Sequence, residues 1–311
     1  MELTSIEVCA GAGGQALGLE QAGFEHLACV EYDRHAVGTL EANRPQWNPV
    51  EADLTTWSFK GAQAVDLLAG GVPCPPFSKA GKQLGPDDER DLFPAMLRLV
   101  EELNPRAVMI ENVRGLLDKR FDDYREGVLG RLHELGYDGK WSLLTASNFG
   151  VAQLRPRSIL VAFRDGLMTE FKWPDPVTPD PPSVGDVIAD LMAEAGWEGA
   201  GDWAQSARGV APTLVGGSKK HGGADLGPTR ARREWAERHG VDGRGLANEP
   251  PQPDFVGMPR LTVKMTAVLQ GFPENWQFSG GKTAQYRQIG NAFPPPVARA
   301  VGERIAAVLN S

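Results

Sequence analysis

Over the first 165 residues, apolar positions alternate between short runs and helically spaced stripes. The runs at Ser5–Cys9, Ala28–Glu31, Val65–Ala69, Ala107–Ile110 and Ile159–Phe163 read as strands. Between them the spacing predicts helices over Gln15–Gln21, Arg34–Ala42, Leu92–Glu102 and Tyr124–Leu135. Gly23 is placed to stop the first helix, and Asn43-Arg44-Pro45 closes the second. Strands separated by helices of this length imply βαβ units, hence an α/β fold with a mostly parallel sheet and helices on both faces.

Two proline-dense stretches then break the pattern. Trp173–Ser183 carries five prolines and Glu249–Pro259 four more, which suits boundaries because proline resists both helix and sheet. The segment between them is glycine-rich and irregular. After it, Thr262–Leu269 reads as helical. Pro295–Leu309 reads as a helix with proline in its first turn and with Val297, Ala300, Val301, Ile305 and Val308 along one side. No internal repeat is present.

At 311 residues the chain is longer than one core usually serves, so a large unit with a smaller one is expected. Its 41% hydrophobic and 23% charged content is that of a soluble globular protein. No apolar run reaches the roughly 18 residues of a membrane span. The opening residues lack the basic region of a signal peptide. Three cysteines, Cys9, Cys29 and Cys74, match no zinc spacing and are too sparse for a disulfide scaffold, which points to a reducing cytoplasm. The net charge is −8, yet Trp203–Lys264 holds ten basic and six acidic residues. Such a local excess of positive charge suits a polyanion, or else a solvated helix face around Arg230–Arg238.

Chemistry concentrates at strand ends. Gly11, Gly13 and Gly14 follow the first strand and precede a helix, where a ligand can approach the backbone and the helix N-terminus favours negative charge. Glu31, 20 residues after Gly11, is placed to bind a pair of ribose hydroxyls. The spacing is G-x-G-G rather than G-x-G-x-x-G, which favours S-adenosylmethionine over a dinucleotide. After the strand Val65–Ala69 come two glycines and then Cys74, held between Pro73 and Pro75. Glu111 ends the strand Ala107–Ile110. A thiol and a carboxyl on neighbouring strand ends beside a cofactor loop make a nucleophile and an acid.

These residues carry a resemblance to the C5-cytosine DNA methyltransferases. EVCAGAGGQALGLEQAGF is similar to the family's cofactor loop, VEYD to its ribose-binding strand end, and ADLTTW to its adenine-contacting loop at Asp53. GGVPCPPFSKAG resembles the nucleophile loop, ENVRG the Glu-Asn-Val motif, and NFGVAQLRPR the Gln-x-Arg-x-Arg strand. RLTVKMTAVLQGFPENW and QYRQIGNAFPPPVA resemble the two C-terminal motifs. All stand in the family's order and cover the chain except roughly 165–258.

The resemblance implies a Rossmann-like methyltransferase domain at 1–172, a smaller target-recognition domain at 173–258, a hinge region at 259–282 and a returning segment at 283–311, with a DNA cleft between the domains. It implies a catalytic group of Cys74, Glu111, Arg155 and Arg157, and no metal. It implies S-adenosylmethionine held by Cys9, Ala10, Gly11, Gly13, Gly14, Glu31, Tyr32, Asp53, Leu54, Pro73, Asn291 and Ala292, with S-adenosylhomocysteine as product. It implies contacts to double-stranded DNA from Ser78 and Lys82 in the loop after the cysteine. Lys219, Lys220, His221, Arg230, Arg232 and Arg233 are the candidate DNA contacts of the middle segment. A monomer is expected, in a restriction-modification setting with a separate endonuclease. The chain departs from the family at three places. Cys9 stands where phenylalanine usually stacks on adenine, leaving Tyr32 as stacking partner, Glu7 replaces an aspartate, and Pro75 replaces a frequent glutamine. Alternatives are a tRNA cytosine methyltransferase with the same core, or a silent DNA-binding paralogue, which would have lost Cys74 or Glu111.

Overall fold

Seven strands make one sheet: β1 (Leu3–Val8), β2 (Phe24–Glu31), β3 (Pro49–Glu51), β4 (Leu67–Gly70), β5 (Ala107–Val113), β6 (Tyr137–Thr145) and β8 (Pro156–Arg164). Their order across the sheet is β3-β2-β1-β4-β5-β8-β6. This computed structural model describes residues 3–73, 91–216 and 223–311. The first five strands pair in parallel, as βαβ units require. β8 pairs antiparallel with β5 on one side and β6 on the other. The last predicted strand therefore runs opposite to the other four. β6 escaped the sequence reading because its residues, YDGKWSLLT, mix polar and apolar positions on an edge strand.

Alternate residues along each strand serve opposite faces. Ile6 and Val8 pack with Leu68, Val108 and Ile110 beneath α3 (Phe93–Leu103) and α4 (Asp122–Glu134). Leu3, Ala69 and Met109 pack on the other face against α1 (Gly14–Gln21) and α10 (Pro295–Leu309). α1 and α10 approach closely because Gly18 faces the backbone of Pro295 and Arg299, where a Cβ would meet atoms at 2.4–2.6 Å. α2 (Arg34–Asn43) begins at Asp33, whose side chain accepts from the His35 amide.

The middle segment is more ordered than its irregular pattern implied. It contains α5 (Val184–Ala193), α6 (Ala200–Ser206) and α7 (Thr229–His239). Ser183 and Asp186 form a capping box at the start of α5. Val184, Ile188, Trp203, Trp235 and Leu246 share one core with Met265 and Leu269 of α8 (Val263–Leu269) and with Tyr286 of α9 (Lys282–Asn291). Two short strands, β7 (Gln153–Leu154) and β9 (Ala211–Pro212), pair in parallel and join the middle segment to the stretch that carries Arg155 and, on β8, Arg157.

Candidate active site

A cleft of about 950 Å³ opens over the carboxyl ends of β1, β2, β4 and β5. The glycine loop forms one wall. Gly11 has φ +54° and a Cβ built on it would meet nothing within 4 Å, so its face is open to the cleft. Gly13 has φ +83° and is packed tightly instead, its Cα pressed toward Leu40, Trp47 and Trp276. Gly13 accordingly shapes the loop without lining the cleft. Cys9, at the end of β1, has φ +51°, a costly conformation for a residue with a side chain. Burial and the nearby carboxylates of Glu31 and Glu7 push its thiol well above the usual range, so Cys9 is not a thiolate.

Of the residues expected to hold a cofactor, Cys9, Ala10, Gly11, Gly14, Glu31, Tyr32, Asp53, Leu54, Pro73, Asn291 and Ala292 all line this one cleft. Glu31 is fixed by three backbone amides. Its Oε2 accepts from Gly11 at 2.8 Å, and its Oε1 accepts from Tyr32 and Asp33, each at 2.8 Å. Its carboxylate therefore bridges the ends of β1 and β2, with lone-pair capacity left for a hydroxyl. Tyr32 stands 69% exposed at the cleft mouth. Asp53 accepts from the Thr55 amide and hydroxyl, which hold its carboxyl below the ordinary value. The open face at Gly11, the anchored acid at Glu31 and the exposed ring at Tyr32 fit an adenosyl group with an amino-acid tail.

Glu111 and Arg157 meet because β5 and β8 are antiparallel. Glu111 lies opposite Ile159 and Val113 opposite Arg157, so the two charged side chains are diagonal neighbours on one face. Arg157 Nε lies 2.8 Å from Glu111 Oε1, and both line the cleft. Burial raises the Glu111 pKa, opposed by the charges of Arg157 and Arg155, and the upward effect prevails. Space beside it comes from Gly71, where a Cβ would sit 3.0 Å from Glu111 Oε2. Asn112 donates from Nδ2 to the Val72 carbonyl at 2.8 Å, tying the end of β5 to the residues just before Pro73. Leu92 donates its amide to the Pro73 carbonyl at 3.2 Å. Cys74, Ser78 and Lys82 lie outside the described residues, but Pro73 and Leu92 on either side of that stretch both line the cleft.

Arg155 takes a different place from the one the resemblance implied. It is 0% exposed and does not line the cleft. Its Nη1 donates to the Leu214 carbonyl at 2.8 Å, and its Nη2 to those of Gly290 and Ala292 at 2.7 and 2.9 Å. Gln153 donates to Gln270 Oε1 at 2.8 Å and accepts from the Leu214 amide at 2.9 Å. Along this stretch, residues 153 and 155 bind a polar knot of three chain segments while residue 157 reaches the cleft. Arg155 thus ties together the segments around Leu214 and Gly290–Ala292.

That knot builds a wall the sequence did not reveal. Thr213, Leu214, Val215 and Gly216 line the cleft opposite the glycine loop. They lie there because Gly216 and Gly290 touch backbone to backbone. A Cβ on Gly290 would meet Gly216 N at 2.2 Å, and one on Gly216 would meet the Arg287 carbonyl at 2.4 Å. Lys219, Lys220 and His221 follow this wall but lie outside the described residues. Arg230, Arg232 and Arg233 lie on α7, away from the cleft. Arg233 pairs with Glu237 at 3.8 Å on an exposed face. Glu7 and Gln15 also line the cleft. The position of Gln15 directly after the glycine loop was the one sequence signal that could have identified it.

Comparison with known proteins agrees with this geometry. A family model described as C-5 cytosine-specific DNA methylase matches residues 3–307. The type II methyltransferase M.NaeI of Lentzea aerocolonigenes is 56% identical over 99% of this chain and 76% of its own length. The type II methyltransferase M.NgoMIV of Neisseria gonorrhoeae is 53% identical over 99% of both chains. The crystal structure of a DNA modification methyltransferase encoded within an E. coli prophage superposes with a TM-score of 0.70 at 25% identity, covering 99% of this chain and all of that one.

Proposed function

From the premise that the chain belongs to the C-5 cytosine-specific DNA methylase family, and is a DNA cytosine-C5 methyltransferase with type II relatives, we propose that it methylates a cytosine flipped out of a short, specific DNA duplex through a covalent Cys74 adduct. S-adenosylmethionine, when bound, supplies an electrophilic methyl group. The observation that carries the reading is the Glu111–Arg157 pair in the same cleft as the glycine loop and Glu31.

Carbon 5 of cytosine is too weak a nucleophile to accept a methyl group. Addition of the Cys74 thiolate to carbon 6 makes the ring enamine-like and carbon 5 reactive. A free cysteine is only a few per cent ionised near neutral pH, at a pKa of about 8.5, so a cationic neighbour is needed. Charge that builds on the ring is relieved at N3 by Glu111, whose raised pKa keeps a proton available. Arg157 holds the Glu111 carboxyl in place through Nε, while its Nη1 donates to the Pro156 carbonyl. A base then removes the C5 proton and Cys74 departs. Flipping the cytosine costs a few kcal/mol of unstacking. Leu54, Asp53, Tyr32 and Glu31 are proposed to bind the adenosine part, and Asn291 and Ala292 to close over the amino-acid part. The reading places a monomer in the cytoplasm, acting on double-stranded DNA beside a separate restriction endonuclease.

Target choice is assigned to the middle segment. The whole chain, that segment included, aligns with M.NaeI and M.NgoMIV over 314 positions against 311 residues here, leaving little room for insertions. This supports a target shared with those two enzymes. Bisulfite sequencing of plasmid DNA methylated by each of the three proteins should mark the same cytosine in the same short sequence. Methylation at unrelated sequences would overturn the shared target, and none at all would overturn the activity.

The candidate DNA contacts divide by chemistry. Lys219→Ala and Lys220→Ala should weaken binding to all duplexes alike and flatten the salt dependence by about one unit of slope for each phosphate no longer neutralised. Removing a base-reading arginine among Arg230, Arg232 and Arg233, or His221, should instead relax one position of the target. Ser78 and Lys82 are proposed to contact DNA from the loop after Cys74. If none of these changes alters affinity, salt slope or target, the DNA-reading surface lies elsewhere.

A further inference from the structure

Outside the cleft, charge converges on one carboxylate of the middle segment. Asp242, just after α7, grips the Arg244 guanidinium along one side, its Oδ1 accepting from Nε at 2.9 Å and its Oδ2 from Nη2 at 3.1 Å. Its Oδ2 also accepts from Arg260 Nε at 3.0 Å, and its Oδ1 from the Arg244 amide at 3.1 Å. These bonds, those from the Arg244 side chain above all, hold the Asp242 carboxyl well below its ordinary value. The Asp242 side chain is 12% exposed, whereas those of Arg244 and Arg260 are 75% and 46% exposed. Neither guanidinium makes another hydrogen bond among the described residues. Nη1 of Arg244 and both Nη groups of Arg260 therefore remain as outward donors.

The pair is fixed to the unit that walls the cleft. Leu246 donates its amide to the Ala224 carbonyl at 2.8 Å, and Leu226 donates its own to the Gly243 carbonyl at 3.0 Å. Leu214 of the wall is buried in one core with Leu226, Leu246, Leu261 and Tyr286 of α9. Lys282, at the start of α9, donates to the Leu246 carbonyl at 2.8 Å. Helix α9 also backs the wall at Gly290. Arg233 and Arg238, by contrast, pair with glutamates four residues away on their own helix, as a solvated helix face does.

A carboxylate behind two arginines affects two kinds of DNA contact in opposite ways. It cancels one of two positive charges, which weakens attraction to a phosphate. It also fixes the planes of two flexible side chains, whose ordering otherwise costs entropy. A phosphate is charged and can be approached from many directions, so it gains little from that order. A guanine edge is uncharged, and its O6 and N7 need two donors in one plane. The arrangement gives up charge for direction and so suits the base edge. Two guanidiniums on one carboxylate are also close enough for base pairs stacked about 3.4 Å apart.

We infer that Arg244 and Arg260, clamped on Asp242, read guanines of neighbouring base pairs in the major groove of the target. The inference rests on the assignment of target choice to the middle segment, and adds to it the reading residues and the base they read. Asp242 is their positioning residue.

The test is methylation of a plasmid library of randomised sequence, read by bisulfite sequencing, with duplex binding measured over a range of salt. Arg244→Lys and Arg260→Lys keep the charge and lose the planar fork. Each should lower the preference for guanine at one position of the target by roughly 10- to 100-fold, with the salt slope unchanged. Replacing that guanine by 7-deazaguanine, which lacks the N7 acceptor, should weaken the wild-type protein and not the matching variant. Asp242→Asn should lower the same preferences while making binding to all duplexes tighter and more salt-dependent, because one more positive charge is uncovered. A carboxylate that only braces the fold would lose stability without that exchange. Should Asp242→Asn fail to fold, the exposed Arg244→Lys decides. Lysine variants that keep every guanine preference, or that weaken all duplexes alike, would overturn the inference and leave the activity standing. If the wild-type protein marks no cytosine in any sequence, the activity reading falls and this inference with it.

Discussion

Cys74→Ala is expected to abolish methyl transfer while leaving cofactor binding measurable. In the proposed mechanism the sulfur is required for one step, addition to carbon 6. Cys9, which lines the cleft, does not substitute for it, because burial and the carboxylates of Glu31 and Glu7 push its thiol well above the usual range. Loss of a covalent nucleophile removes a term comparable to the whole catalytic advantage of such groups, on the order of 10⁴-fold or more. DNA carrying 5-fluorocytosine should trap a denaturation-resistant adduct with the wild-type enzyme, because fluorine cannot leave as a proton does, and no adduct with Cys74→Ala. A variant that still methylates DNA at a tenth of the wild-type rate would remove Cys74 from the mechanism.

Glu111→Gln should lower single-turnover rates by roughly 10²-fold or more, the usual scale for an acid or base. Glutamine can still donate a hydrogen bond to the ring but cannot hand over a proton. The change also replaces the buried carboxyl that Arg157 Nε meets at 2.8 Å. The sign of the pH dependence follows from the structure. Burial raises the Glu111 pKa, so the acid form persists above the ordinary carboxylate range and is lost as pH rises through the raised value. The wild-type rate should therefore fall on that alkaline limb, and the limb should vanish in Glu111→Gln. An unchanged rate with an unchanged pH profile would reduce Glu111 to an ion-pair partner that fixes the β5–β8 edge.

How far the chain could be read locally is clearest at three places. The βαβ order of β1 to β5 follows from apolar runs of strand length separated by helical stripes, and these signals are carried by residues close in sequence. The direction of β8 is not, because LVAF at Leu160–Phe163 pairs equally well with either direction, and only the position of β6 on its far side decides it. The helix α10 matches its expected bounds to the residue, since the prolines at its start and its apolar stripe are both local. The helices α5 and α6 carry no such local signal because their core partners, Ala152 and Met265, lie far away in the chain, whereas α7 falls on the Arg230–Arg238 stretch that also read as a solvated helix face.

The candidate site divides the same way. The sequence by itself determined which residues can do chemistry and that the glycine loop, Glu31, Pro73 and Glu111 stand at the ends of adjacent strands. Alternation along a strand and the carboxyl-edge rule of parallel sheets are enough for that. Only the tertiary structure sent Arg155 into the protein and Arg157 into the cleft. Both follow the same local pattern, and what separates them is that carbonyls of Leu214, Gly290 and Ala292 converge on one and Glu111 on the other. The tertiary structure likewise brought Thr213–Gly216 across the cleft, through a glycine-to-glycine backbone contact between segments some 70 residues apart. It also brought Arg260 onto the carboxylate of Asp242 that Arg244 holds. Such convergences depend on burial and close approach between distant segments, and these have no period along the chain.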